Sequence, residues 1–249
     1  IIHKTLEDLF KPYAQRDKKG VYIQPAPPPV REKDVLKMLD TFKKSLYEGF
    51  LDHFGQDESL FKTGKNRLSY EMAIEITQNV LKKELEFIQG LTEPLYIEQI
   101  EAEMHTEIDV PTENGTRKMH FKGYIDRIDR IGNRYRVIDY KTGKVTKDQV
   151  VYQTTTKGLI PSFLKSKHAF QLSLYCMFFK DAYGMMPDEA KITSLINVNE
   201  DFFLSVKDGK LSDMVPVVHE LLSEILAQMF DETQPFEHHP DSDYCQYCS

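Results

Sequence analysis

The segment from residue 123 to 143 constrains this chain more than any other. It reads Gly123-Tyr124-Ile125-Asp126-Arg127-Ile128-Asp129, then Gly132-Asn133, then Val137-Ile138-Asp139-Tyr140-Lys141-Thr142-Gly143. Two runs rich in β-branched and aromatic residues flank a Gly-Asn pair, the signature of a tight antiparallel hairpin. Alternate side chains of a strand share a face, so Asp139 and Lys141 point one way while Ile138 and Tyr140 point the other. The hairpin lays the preceding strand alongside and brings Asp126 within reach of Asp139. Two bare carboxylates repel, so this convergence is favourable only if a cation joins them or one takes up a proton. Oxygen donors with water in the remaining positions suit Mg²⁺ or Mn²⁺. By spacing alone, the same residues also describe an exposed hairpin laced by cross-strand salt bridges.

Around the hairpin, helical and strand-like spacing alternate. Ile2, Leu6, Leu9 and Phe10 recur at helical intervals, and Pro12 ends the run. Pro25-Ala26-Pro27-Pro28-Pro29 is an extended connector, since proline fits neither a helix interior nor a central strand. Val35, Leu36, Leu39, Phe42, Leu46 and Phe50 predict an amphipathic helix from Arg31 to about Phe54. A polar loop with Gly55 and Gly64 follows, then a second helix from about Leu68 to Gln89, closed by Gly90. Strands are expected near 95–107, 118–131 and 134–141, a helix over 168–183, and further strands over 191–198 and 202–206. A last helix runs from about Asp213, read as its N-cap, to Phe230. This order implies an α/β domain with a mixed central sheet. The whole of 1–249 is read as one domain, with 13–92 a helical insertion within it.

A chain of 249 residues can bury a sizeable core, and 41% hydrophobic with 29% charged residues is an ordinary folded composition. No apolar run approaches the roughly 18 residues that a membrane span needs, so no membrane partner is expected. Three cysteines do not make a secreted disulfide scaffold, and a cytoplasmic protein is expected. The start at Ile1-Ile2-His3, without methionine, reads as a fragment of a longer protein. A net charge of -7 hides segregation: residues 117–147 hold ten Lys and Arg against three acids. Salt confines surface fields to about 8–10 Å, so such a stretch can meet phosphates on an acidic protein. A solvated pair of strands with alternating charges reads equally well.

The set Asp126, Asp139 and Lys141 suits phosphodiester hydrolysis. A divalent cation lowers the pKa of a water and polarises the phosphate, and a lysine adds positive charge where the transition state gains negative charge. The two segments Gly-Tyr-Ile-Asp-Arg-Ile-Asp and Val-Ile-Asp-Tyr-Lys-Thr-Gly closely resemble the core of the PD-(D/E)XK nuclease superfamily, specifically its RecB/AddB-type C-terminal nuclease domain. That resemblance implies a restriction-endonuclease-like core with helices flanking the mixed sheet. It assigns metal binding to Asp126 and Asp139, with the Tyr140 carbonyl as a further oxygen ligand. Lys141 would orient the attacking water and stabilise charge. His3, in Ile1-Ile2-His3-Lys4-Thr5-Leu6-Glu7, matches the family's metal-associated histidine. Gln171 and Tyr175 match its Gln-X-X-X-Tyr motif, whose spacing puts both on one helical face, and would hold the substrate strand. Asp129 falls on the opposite face from Asp126 and reads as structural. Glu98 or Glu101 is a candidate for one more site carboxylate, with the register left open.

What the resemblance implies is a Mg²⁺- or Mn²⁺-dependent deoxyribonuclease, an exonuclease rather than a sequence-specific endonuclease. It would act on single- or double-stranded DNA beside a helicase, in recombination or double-strand-break repair. Two other readings fit the same residues: a catalytically silent DNA-binding module that regulates an attached helicase, and a stand-alone CRISPR-associated-type exonuclease. A protein-interaction domain built on the helical insertion is a third. Some relatives carry an iron–sulfur cluster on four cysteines. Cys245-Gln246-Tyr247-Cys248 resembles the start of their C-terminal motif, whereas Cys176 reads as a buried small hydrophobe. No cluster is expected in this chain, though a full-length protein with the missing thiols could hold one. The C-x2-C pair also fits a zinc site completed by a partner.

Overall fold

Gly132 takes φ +58, a left-handed conformation open to glycine without steric penalty, and turns the chain from β2 (Gly115–Ile131) into β3 (Arg134–Lys141). The computed structural model describes residues 1–112, 115–152, 166–197, 200–206, 209–233 and 235. Cys245 and Cys248 lie outside the described residues. On its other edge β2 pairs antiparallel with β1 (Leu95–Thr112), from Leu95↔Ile131 to Thr112↔Gly115. Its pairing with β3 is much shorter, running only from Arg127↔Ile138 to Ile131↔Arg134. The β1–β2 ribbon therefore projects well past β3.

After β3 the chain passes through a two-residue strand β4 (Val151–Tyr152) and returns by way of α5 (Lys167–Tyr183). A crossover through a helix lets β5 (Glu189–Ser194) lie parallel to β3, and β6 (Asp201–Phe203) closes the sheet antiparallel to β5. The strand order is β1-β2-β3-β5-β6, the mixed α/β sheet that the sequence predicts. Helices α1 (Ile2–Phe10), α2 (Glu32–His53) and α4 (Gly64–Gln89) cover one face, burying Leu6, Phe10, Val35 and Phe42 against Ile97, Ile131 and Ile138. On the other face, α5 and α6 (Leu211–Met229) bury Leu172, Phe179 and Val218 against Ile128, Val137 and Ile192. A Cβ at position 123 would come within 2.6 Å of the Phe178 ring, so α5 approaches β2 closely because Gly123 stands there. Cys176 is fully buried in this layer, and burial pushes its thiol up to about 12, as befits a small core hydrophobe. Among the described residues no helix is long and apolar enough to cross a membrane.

Three local expectations need correction. The polar loop after α2 contains a short helix, α3 (Ser59–Lys62), because Phe61 packs into an aromatic cluster with Phe50, Phe54 and Tyr70. The strand expected over 202–206 changes partner midway. Its first half is β6, and its second half is β7 (Ser205–Val206), which pairs parallel with β4. The N-cap of α6 is Lys210, whose backbone N–H donates to the Asp213 carboxylate at 2.8 Å, so Asp213 caps from inside the first turn.

The basic stretch behaves differently from a phosphate-binding ridge. Arg127 and Arg136 are buried beneath α1 and α4, where they enclose the fully buried Asp129. Asp129 Oδ1 lies 2.6 Å from Arg127 Nε, and Oδ2 lies 2.6 Å from Arg136 Nη2. Burial alone would raise the Asp129 carboxyl, but the two guanidiniums outweigh it and hold it below the usual carboxylate range. Arg127 also donates to Glu84 on α4 at 2.6 Å and to the Tyr140 hydroxyl at 3.4 Å, and stands over the Phe10 ring. Arg130, Lys118 and Lys122 pair with Glu98, Glu107 and Glu103. Most of the stretch is thus spent on internal ion pairs. Removing one partner of a buried ion cluster leaves uncompensated charge. Asp129→Ala is therefore expected to destabilise the protein by about 3–5 kcal/mol, read as a lower urea midpoint at pH 7, whereas the exposed Glu107→Ala should leave the midpoint unchanged.

Candidate active site

Asp126 and Asp139 stand opposite each other one step beyond Arg127↔Ile138, where the β2–β3 ladder stops. The strands part there, and the Tyr140 backbone N–H donates to Asp126 Oδ2 at 2.7 Å instead of to a strand carbonyl. A carboxylate so placed satisfies the freed donor and ends the pairing in one contact. Tyr140 itself faces away: its ring packs with the α1 layer, and burial pushes its hydroxyl up to about 12. To the two carboxylates the residue offers its backbone N–H, while its ring lies beside His3.

Asp139 is almost wholly buried, and three residues converge on it. Lys141 Nζ lies 2.9 Å from Oδ2 and donates to Oδ1 at 3.2 Å. From α5, Gln171 donates to Oδ1 at 3.2 Å and the Tyr175 hydroxyl at 3.4 Å, while Gln171 also donates to that hydroxyl at 2.7 Å. Gln171 and Tyr175 thus grip the carboxylate itself. Oδ2 is buried without a hydrogen bond, the ammonium beside it being misaligned for one. His3, on the first turn of α1, puts Nδ1 3.7 Å from Asp126 Oδ2 and its ring edge-on to Tyr140. All the predicted site residues therefore meet at one end of the sheet.

One carboxylate that spacing left open also belongs here. Along β1 the register slips by one residue between Ile97 and Gln99, and Glu101 takes φ +50 opposite Asp126. Burial, then Asp126 and Glu7, raise its carboxyl. Glu101, Glu7, His3 and Asp126 line a small recess under α1. Glu98, the other candidate, turns away and pairs with Arg130 at 2.6 Å. Only the bulge decides between them, and no periodicity reveals a bulge.

The electrostatics favour an added cation. Burial and then repulsion from Asp139 push the Asp126 carboxyl up to about 6, against the Tyr140 N–H bond. Burial also raises Asp139, although Lys141 opposes it. Burial pulls the His3 imidazole below its ordinary value, leaving a neutral nitrogen donor, even with Asp139 and Glu101 pulling the other way. Among the described residues no three His, Cys, Asp or Glu side chains already form a complete cage. The donors fit a hard divalent ion that keeps part of its water: two carboxylates, one of them with a buried oxygen that accepts no hydrogen bond, and a neutral histidine at the edge. The raised Asp126 carboxyl also sets a stability profile. Between the ordinary 3.8 and about 6 the folded state binds the extra proton, so stability falls as pH rises through that window and stays lowered above it. Asp126→Asn keeps the acceptor for Tyr140 and loses the charge. In EDTA it is expected to be more stable than the parent above pH 7, on the order of 2–3 kcal/mol, with the gap closing toward pH 4 in urea titrations.

No match to the chain is found among curated proteins. Among solved structures, one of a provisionally named exonuclease from Eubacterium rectale is 16% identical, with 98% of this chain and 86% of that chain covered and a TM-score of 0.46. A second, of the protein SSO0001, is 15% identical, with 73% and 74% covered and a TM-score of 0.29. The family model of the PD-(D/E)XK nuclease superfamily matches residues 1–249. With the whole chain matched, and a mixed sheet that brings two aspartates and a lysine together at one end, this protein belongs to the PD-(D/E)XK nuclease superfamily.

Proposed function

We propose that this chain hydrolyses DNA phosphodiester bonds with Mg²⁺ or Mn²⁺ held by Asp126 and Asp139, with His3 and the Tyr140 carbonyl completing the protein's share of the ligands. The observation that carries this reading is the buried, unbonded Oδ2 of Asp139, set between a protonation-prone Asp126 and the Lys141 ammonium. Two buried carboxylates this close, with one ammonium beside them, leave negative charge uncompensated in the metal-free protein, and a cation relieves it. When bound, a divalent ion supplies Lewis acidity and lowers the pKa of water.

The chain's own residues do the rest. Lys141, anchored to Asp139, offers positive charge to the phosphoryl oxygens as they gain negative charge. Gln171 and Tyr175 fix the Asp139 carboxylate, and their remaining polar capacity faces the substrate strand. Glu101 adds a third carboxylate opposite Asp126, able to take a proton because its pKa is raised. We further propose that 1–249 acts as one nuclease domain with 13–92 inserted, digesting from ends beside a helicase in recombination or break repair. The His3 context and the Gln-X-X-X-Tyr helix support that assignment by motif.

The test is cleavage of end-labelled single- and double-stranded DNA in Mg²⁺, in Mn²⁺ and in EDTA. Metal-dependent cutting is expected, and Lys141→Ala, Asp126→Asn and Asp139→Asn should each lower the rate by about 10²–10³. Activity that survives all three substitutions would remove the site assignment.

A further inference from the structure

Immediately beyond β3 the chain makes one wall of an open cleft of about 550 Å³, between residues 144–147 and the segment that follows β5. Lys144 and Lys147 stand exposed on the first wall, and Ser194, Ile196 and Asn197 form the second, with Phe202 beneath. The cleft is joined to the active-site strand through the sheet. Ser194 is the β5 partner of Lys141, and the Leu195 N–H donates to the Lys141 carbonyl at 2.9 Å. We propose that this cleft seats one nucleic-acid strand as it enters or leaves the reacting centre, Lys144 and Lys147 taking backbone phosphates and Ile196 lying against a base or sugar. The proposal rests on the nuclease reading and deepens it by naming the track on which the substrate lies.

Charge bookkeeping points to these two lysines. Of the basic residues from 117 to 147, Arg127 and Arg136 are buried, Lys118, Lys122 and Arg130 are ion-paired, Arg117 lies over the Phe230 ring, and Arg134 sits beside the hairpin turn at the far end of β3. Lys144 and Lys147 make no ion pair among the described residues, and they are the members of the stretch that follow Lys141 directly in the chain. Among the described residues Glu200 is the one acid on the lining, against two lysines. Ile196 keeps 63% of its surface exposed at the mouth, where an apolar side chain gains most by meeting a base face. A space of this size seats a nucleotide-sized group, the width of one strand.

Binding is measured in EDTA, so that cleavage cannot intervene, by fluorescence anisotropy of a labelled single-stranded DNA oligonucleotide at several salt concentrations. A blunt duplex of the same sequence serves as the second probe. Lys144→Ala/Lys147→Ala is expected to weaken single-strand binding on the order of tenfold near 0.1 M salt and to flatten the salt slope by about 1.4, the value for two lost phosphate contacts. Ile196→Asp should weaken it with the far-ultraviolet spectrum and melting curve unchanged. Single-strand affinity and salt slope identical to the parent in both variants would overturn the proposal, as would an equal loss for the duplex. Cleavage by the parent protein in Mn²⁺ is scored separately. Its failure would sink the nuclease reading while the anisotropy result still decides whether the cleft binds a strand.

Discussion

Everything at the reacting end of this sheet hangs on Arg127. One guanidinium reaches Asp129 on its own strand, Glu84 on α4, the Tyr140 hydroxyl on β3 and the face of Phe10 on α1. It therefore ties together the elements that carry His3, Asp126 and Asp139. An ion cluster so deeply buried adds little net stability compared with a well-packed apolar core, since desolvation takes back most of the Coulombic gain. What it adds is geometry. Arginine is always charged and forks rigidly, so its partners are held at fixed angles that hydrocarbon would leave free to slide.

The two faces of the hairpin divide the labour. On one, Arg127, Asp129, Ile138 and Tyr140 lock β2 and β3 to the α1–α4 layer. On the other, Asp126 and Asp139 are buried and close enough to repel, and the Lys141 ammonium offsets this only in part. The strain of the second is sustainable because the first cannot move. Such local instability is common where a site must hold a ligand, and the rest of the fold compensates for it.

Much of this is written plainly in the sequence. Gly132-Asn133 announces the hairpin, alternation puts Asp139 with Lys141, and helical spacing aligns Gln171 with Tyr175. Other parts are invisible for identifiable reasons. Glu101 reaches Asp126 only because β1 bulges just before it, and a bulge breaks the period-two pattern on which strand reading depends. Arg127 and Arg136 look like surface charges until Asp129 and Glu84 are seen to neutralise them, because burial of a charged residue depends on partners distant in the chain. Strands β4 and β7 are two residues each, too short for any periodicity to appear.

The ribbon that outruns β3 has a consequence for how copies of the protein behave at high concentration. From Thr116 to Ile125 no strand among the described residues pairs with the outer side of β2, which leaves that edge without a neighbouring strand among them. Lys118, His120 and Lys122 alternate along that edge, each tied to a glutamate on β1. A second molecule adding itself there would have to set lysine against lysine or strip those pairs from water. The edge is thereby made a poor template for sheet-to-sheet aggregation, and a long exposed strand can persist on a protein that stays dispersed.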